Sequence, residues 1–213
     1  MPMTLGLRDQ KKLETRARLA QAAMTLVTER GYPHVTIADI ADAAGVSRRT
    51  FSNYFSSKAE CLIEINEAEA ARVLPMILAD TSDQPIGKRV ASALADFSDS
   101  FWDDCARLYR LREEEPEVLS ALARAEVQHG AEFAADIVEL SDGVIDPLRM
   151  RVTIAAVQAA VMACLGYWLD SGSPGGTRGL ADLIEQTLSV VDLSWLDDYR
   201  ELVRDNLAAR SER

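Results

Sequence analysis

Residues 36–55 read TIADIADAAGVSRRTFSNYF. Thr36 precedes Ile37-Ala38-Asp39-Ile40-Ala41, and a threonine hydroxyl in that place suits a helix N-cap. Asp39, three residues on, supplies the acidic half of a capping box, less well than glutamate would. Gly45 ends the short helix in a turn where a positive φ is cheapest without a Cβ. Ser47 caps a second helix that runs to about Tyr54. Two short helices joined at a glycine are the sequence form of a helix-turn-helix. Ile37, Ile40, Ala44, Val46, Phe51 and Phe55 fall on one apolar side that locks the angle between the helices, and Ala41 is small where the second helix crosses it. Arg48, Arg49, Thr50, Ser52 and Asn53 are left pointing outward.

That outward set has a chemistry. Arginine binds guanine O6 and N7 in a bidentate way, asparagine does the same with adenine N6 and N7, and a threonine methyl touches the thymine methyl. Thr36, Tyr54 and Lys58 are placed to hold phosphates, which position such a module while base contacts specify the sequence. The alternative reading of the stretch is a plain helical hairpin with a solvated Arg-Arg pair.

Working outward, the stripe Leu19, Ala22, Ala23, Leu26 and Val27 predicts a first helix, stopped by Gly31 as a left-handed cap. A fourth helix is expected from about Lys58 to Leu74 after the Ser56-Ser57 break, and 80–85 (DTSDQP) reads as a linker. Later helices are expected at about 86–102, 105–112, 116–140, 147–170 and 179–192, with a weaker one at 196–209. Alternating strand patterns are scarce, so the expected fold is all-α.

Residues Lys11 to Leu62 resemble the N-terminal domain of TetR-family transcriptional regulators. The resemblance rests on a basic first helix (KKLETRARLAQAA), the corner Glu29-Arg30-Gly31-Tyr32, the run Val35-Thr36-Ile37-Ala38-Asp39-Ile40-Ala41, then Ala44-Gly45-Val46-Ser47, Tyr54-Phe55 and Ser57-Lys58-Ala59-Glu60. It covers about a quarter of the chain. It implies that Thr36, Tyr54 and Lys58 contact phosphate, that Ser47, Arg48, Arg49 and Thr50 lie on the helix entering the groove, and that Asn53 falls on its exposed side. It also implies a C-terminal helical ligand-binding and dimerisation domain. Many relatives carry an aromatic where this chain has Ser52 and a glycine where it has Arg49, so the operator it reads is expected to differ. Some actinobacterial-type members of the family sense acyl-CoA, which gives a lead on ligand class. The expected domains are residues 1–57 for DNA and 58–213 for regulation.

Charge agrees with that division. The 213 residues carry a net charge of −11, which taken alone argues against nucleic acid. Residues 1–60, however, hold nine Lys/Arg against six Asp/Glu, while 61–213 hold 14 against 28. A basic head on an acidic body is the asymmetry of a polyanion-binding module joined to something else. The start MPMTLGLRDQKK lacks an apolar run with a small-residue cleavage site, which predicts a cytoplasmic chain. Cys61, Cys105 and Cys164 are too scattered for a disulfide framework or zinc site. Neither a metal nor a cofactor is expected.

Val152 to Leu169 is a run of 18 residues without a charge. At 1.5 Å per residue it reaches about 27 Å, marginal for a membrane span, and five alanines with Thr153, Gln158 and Gly166 make it only modestly apolar. Burial on every side explains such a helix better. With the stripe Leu180, Leu183, Ile184, Thr187, Leu188 and Val191 it is expected to meet a symmetry mate in a four-helix dimer interface; two core helices of a monomer are the alternative. A dimer would set two recognition helices in successive major grooves about 34–36 Å apart. Phe97, Phe101, Trp102, Tyr109 and Phe133 are candidates to line a cavity for an apolar or amphipathic effector, with plain core packing as the other reading.

The functional expectation is a DNA-binding regulator and not an enzyme: a repressor on a palindromic operator, released by a small effector. Two rivals stand beside it, a DNA-binding assembly protein without a ligand and a helical enzyme with a vestigial DNA module. No catalytic residue is named, because no nucleophile–base pair, metal cluster or nucleotide loop stands out in the sequence.

Overall fold

The computed structural model describes residues 7–66, 72–80 and 82–211, and among them it contains helices and turns but no strand. In order they are α1 (Leu7–Arg30), a 3₁₀ turn (Tyr32–His34), α2 (Ile37–Ala43), α3 (Arg48–Ser52) and α4 (Lys58–Ile63), which runs into a 3₁₀ turn at Glu64–Asn66. Then come α5 (Val73–Ala79), α6 (Ile86–Ala95), α7 (Asp99–Glu114), α8 (Pro116–Leu140), α9 (Pro147–Asp170), α10 (Gly176–Leu188), a 3₁₀ stretch (Ser194–Tyr199) and α11 (Arg200–Ser211). The fold is all-α, an N-terminal helix-turn-helix domain followed by a C-terminal helical domain.

The chain forms two compact units. The first takes the N-terminal helices together with residues 103–123; the second takes the rest of the described chain from residue 72. The segment 103–123, expected in the regulatory part, thus belongs with the head.

The first unit closes on Leu19, Ala20, Ile40, Ala41, Phe51, Ala59 and Leu62, all fully buried. Gly31 ends α1 with φ 80° and ψ 149°. The positive φ agrees with the sequence reading, but ψ is extended rather than left-handed helical, a region open essentially to glycine alone.

In the second unit, α10 lays the fully buried stripe Leu180, Ile184 and Leu188 inward, where the helix packs on α6 and α9. A further core joins Leu78, Ala134, Ile137, Leu140, Ile145, Met150 and Val203. Asn206 Nδ2 donates to the Leu140 carbonyl at 2.8 Å and fastens α11 to the end of α8. The Trp168 indole donates to the Pro174 carbonyl at 3.1 Å, fixing the SGSPGG loop to α9.

Several expected boundaries move. The helix expected over 86–102 breaks at Asp96-Phe97-Ser98, because the Ser98 hydroxyl accepts from the Phe101 amide at 3.2 Å and starts a new helix. That helix absorbs the expected 105–112 segment. The expected helix from Lys58 to Leu74 is helical over its first six residues, and its stretch 67–71 lies outside the described residues. So do Thr81 of the linker and the first six residues of the chain.

Candidate nucleic-acid interface and cavity

Thr36 and Asp39 build a full capping box. The Thr36 hydroxyl accepts from the Asp39 amide at 3.2 Å, and the Asp39 carboxylate accepts from the Thr36 amide at 2.8 Å and from its hydroxyl at 2.5 Å. These bonds hold the Asp39 carboxyl below its ordinary value, since they favour the charged form. At the turn, Gly45 takes φ 67° and the Val46 amide donates back to the Ala41 carbonyl at 2.9 Å.

Ser47 then starts α3. Its hydroxyl accepts from the Thr50 amide at 3.0 Å and shares a 2.8 Å hydrogen bond with the Thr50 hydroxyl. Phe51 is fully buried, and its ring stands 5.7 Å from that of Phe55 beneath the helix. Arg48, Arg49, Ser52 and Asn53 are exposed, while Thr50 and Tyr54 are half-buried. One buried anchor and a capped first turn therefore present two guanidinium groups and an amide to solvent on a rigid base. Lys11, Lys12 and Arg18 of α1 are exposed as well and add positive charge to the head.

Sequence reading missed Arg16. Its guanidinium lies 4.7 Å from the Phe55 ring centroid, pairs with the Glu64 carboxylate through Nε at 2.5 Å and through Nη2, and donates to the Tyr54 carbonyl at 3.4 Å. It joins α1 to the chain leaving α3. In the sequence it is one more charge on a basic helix, and its partners stand 38 and 48 residues away.

Lys58 is placed differently from Arg48 and Arg49. Its half-buried ammonium donates to the carbonyls of Tyr32 at 2.6 Å and Val35 at 2.8 Å. Burial lowers its pKa, opposed by the charges of Glu117 and Glu115. The Tyr32 hydroxyl donates to Glu117 at 2.7 Å. Burial, and then that carboxylate, push the phenol well above its usual range.

The second unit holds an open-mouthed cavity of about 120 Å³. Its walls come from α5, α6, α8, α9, the 3₁₀ stretch and α11, and are mostly aliphatic, with Ile77, Val90, Ile137 and Met150 among them. Drug-sized ligands occupy spaces of about 300–1,000 Å³ with such walls and a few polar groups, so this cavity is smaller than that class and a ligand of that size would have to part its walls. Phe133 is in the lining. Phe97, Phe101 and Trp102 are not; they pack against one another, with centroids 4.4 Å apart for the two phenylalanines and 5.1 Å for Phe101 and Trp102. Tyr109 sits in the first unit, its ring 3.6 Å from the Arg112 guanidinium.

α9 is long and apolar enough to cross a membrane by length and composition, yet only 33% of its most apolar window is buried within the chain. The outward residues Leu148, Val152, Ala155, Ala159, Ala163 and Tyr167 recur at three- and four-residue spacing and form one apolar stripe. Among the described residues no group of three His, Cys, Asp or Glu is placed to hold a metal ion. Burial pushes the Cys61 thiol up to about 12, which makes it inert as a nucleophile near neutral pH.

Residues 19–65 match the family model described as bacterial regulatory proteins, tetR family. The chain is 30% identical to the HTH-type transcriptional regulator TcmR of Streptomyces glaucescens over 94% of its own length and 89% of that protein's. It is 28% identical to the HTH-type transcriptional activator FasR of Mycolicibacterium smegmatis, covering 76% of this chain and 75% of that one. Among solved structures it resembles FadR of Thermus thermophilus, a TetR-family repressor in complex with lauroyl-CoA. The TM-score there is 0.54 at 22% identity, over 82% of this chain and 92% of that one.

Proposed function

Because the chain belongs to the TetR family of bacterial transcriptional regulators, we propose that it is a cytoplasmic repressor that occupies a palindromic operator as a homodimer and leaves it when a small amphipathic effector binds. The observation that carries this reading is the pair Arg48 and Arg49, exposed on a short capped helix whose Phe51 is fully buried. Those guanidiniums, with Thr50 and Asn53, read base edges in the major groove. Thr36 and Tyr54 face the phosphates on either side, and Lys58 supports them from behind through the carbonyls it holds.

Dimerisation uses the outward stripe of α9. An unbroken apolar row on a chain of net charge −11 is a surface that needs a cover, and a second copy brings an identical row to it. The effector enters the cavity of the second unit. It shifts the balance only if it binds one conformation more tightly than the other, here the one whose recognition helices no longer match successive grooves. The acidic body repels DNA and leaves the basic head to face it.

Selection of bound fragments from the source genome, followed by footprinting, tests the reading. The expected result is a protected inverted repeat whose half-sites lie about one helical turn apart. Protection that is unchanged when Arg48 and Arg49 are both replaced by alanine would remove the base-reading role.

A further inference from the structure

Among the residues lining the apolar cavity, Arg89 and Arg200 carry charge and no aspartate or glutamate accompanies them. That is unexpected in a body where acidic residues outnumber basic ones two to one. Arg89 projects from α6, and its side chain is only 1% exposed.

Its five donors are poorly served. Nη1 donates to the Ile77 carbonyl at 3.3 Å and Nη2 to Asp197 Oδ1 at 3.4 Å, both long for a charged donor. Nε is buried and has no hydrogen-bond partner. Arg200 donates to the Asp80 backbone carbonyl at 2.8 Å, so the one carboxylate paired with the two guanidiniums is Asp197, at the long distance of 3.4 Å from Arg89. Burial, and next the Arg200 charge, pull the Arg89 guanidinium below its ordinary value, against the weaker opposing pull of the Asp197 and Asp80 carboxylates. An arginine does not give up its proton under such pressure. A buried, under-bonded cation in a cavity wall is instead relieved by an anion from outside.

We propose that Arg89, with the Arg200 charge behind it, is the anion-reading site of the cavity, and that the effector is an amphipathic carboxylate. Its apolar body lies among the aliphatic walls. Its carboxylate meets the Nε–Nη2 edge of Arg89, the planar fork that takes two oxygens at once. Thr153 does not compete, since its hydroxyl is spent on the Arg149 carbonyl of its own helix at 2.9 Å. This rests on the effector reading given above and narrows it to one charge type.

The test is calorimetric titration of the full-length protein with decanoate, 1-decanol and decylammonium, which share a chain and differ in the head. Decanoate is expected to bind on the order of tenfold or more tighter than decanol, as a charge-assisted hydrogen bond implies. Arg89→Gln should abolish that preference while decanol binding persists. Should Arg89→Gln fail to fold, Arg89→Lys decides, because it keeps the charge and loses the fork; a clear drop in the acid-over-alcohol ratio is expected. Equal binding of acid and alcohol by the unaltered protein, a preference for decylammonium, or a preference that survives both Arg89 variants overturns the proposal. If decanol binds as well as decanoate and also releases operator DNA, the effector reading stands and this site falls. If none of the three probes binds while operator binding is intact, both fall.

Discussion

The Lys58 ammonium sits 3.7 Å from the centroid of the Tyr32 ring and donates to the Tyr32 carbonyl at 2.6 Å. One cation thereby closes the corner after α1 onto the start of α4, meeting the Val35 carbonyl and sharing the Tyr32 carbonyl with the Val35 amide, which donates to it at 3.3 Å. The same ring hands its hydroxyl proton bond to Glu117, so the corner is fastened from both sides.

Lys58→Ala is expected to lower the stability of the head by about 1–3 kcal/mol, the range for losing charged hydrogen bonds to partly buried acceptors. Because the ammonium faces inward, the dependence of operator affinity on salt should stay unchanged. Thermal melts and a salt titration check the two halves separately. A salt slope reduced by about one ion would instead assign Lys58 to a phosphate.

Arg49→Ala should leave the melting temperature alone, since the side chain is exposed, and cost about 1–3 kcal/mol of operator binding with relaxed choice at one base position. Binding measured against a set of single-base operator variants reads this out. A uniform loss across all variants would mean that Arg49 touches backbone rather than a base.

The caps of the helix-turn-helix make separate predictions. Ser47→Ala removes the acceptor of the Thr50 amide and should cost about 0.5–2 kcal/mol. The Thr36 bonds depress the Asp39 carboxyl in the folded state, so its contribution is present above the unfolded aspartate value and is lost as pH falls through the lower folded value. Acid unfolding of Asp39→Asn should therefore be less steep than that of the unaltered protein as pH falls below the ordinary aspartate value of about 4. Circular dichroism titrations of the two proteins would expose a parallel course, which would contradict the box.

Val152→Glu places a carboxylate on the outward stripe of α9, at a side chain 61% exposed within one chain. The fold of the single chain should persist. The dimer dissociation constant should rise about thirtyfold or more, the effect of about 2 kcal/mol from an unpaired charge at an interface. Light scattering over a concentration series checks it. A variant that stays dimeric would move the interface elsewhere.

The helix-turn-helix was readable before any coordinates because its instructions are local. Thr36 and Asp39 are three residues apart, Ser47 and Thr50 likewise, and Gly45 needs only its own positive φ. The second unit hides its cavity for the opposite reason. Its cavity gathers side chains from Val73 to Val203, and periodicity tells which residues are apolar, not which of them face a void. Phe97, Phe101 and Trp102 satisfy one another, whereas Arg89 in the run Gly87-Lys88-Arg89-Val90 reads as an ordinary solvated charge until the fold buries it. The outward apolar surface fell to α9 without α10 because the α10 stripe found its cover inside the chain.

α3 spans five residues, and Phe51 is the one among them that the interior holds fast. Arg48, Arg49 and Ser52 are bound by no packing obligation, so their spelling is free to drift while the scaffold beneath stays as it is. On the proposed reading of α3 as the base-reading helix, lineages descended from such a chain could change allegiance from one promoter to another by two or three codon changes. An engineer retargeting it would, on that reading, rewrite the same short word and leave the rest of the gene untouched.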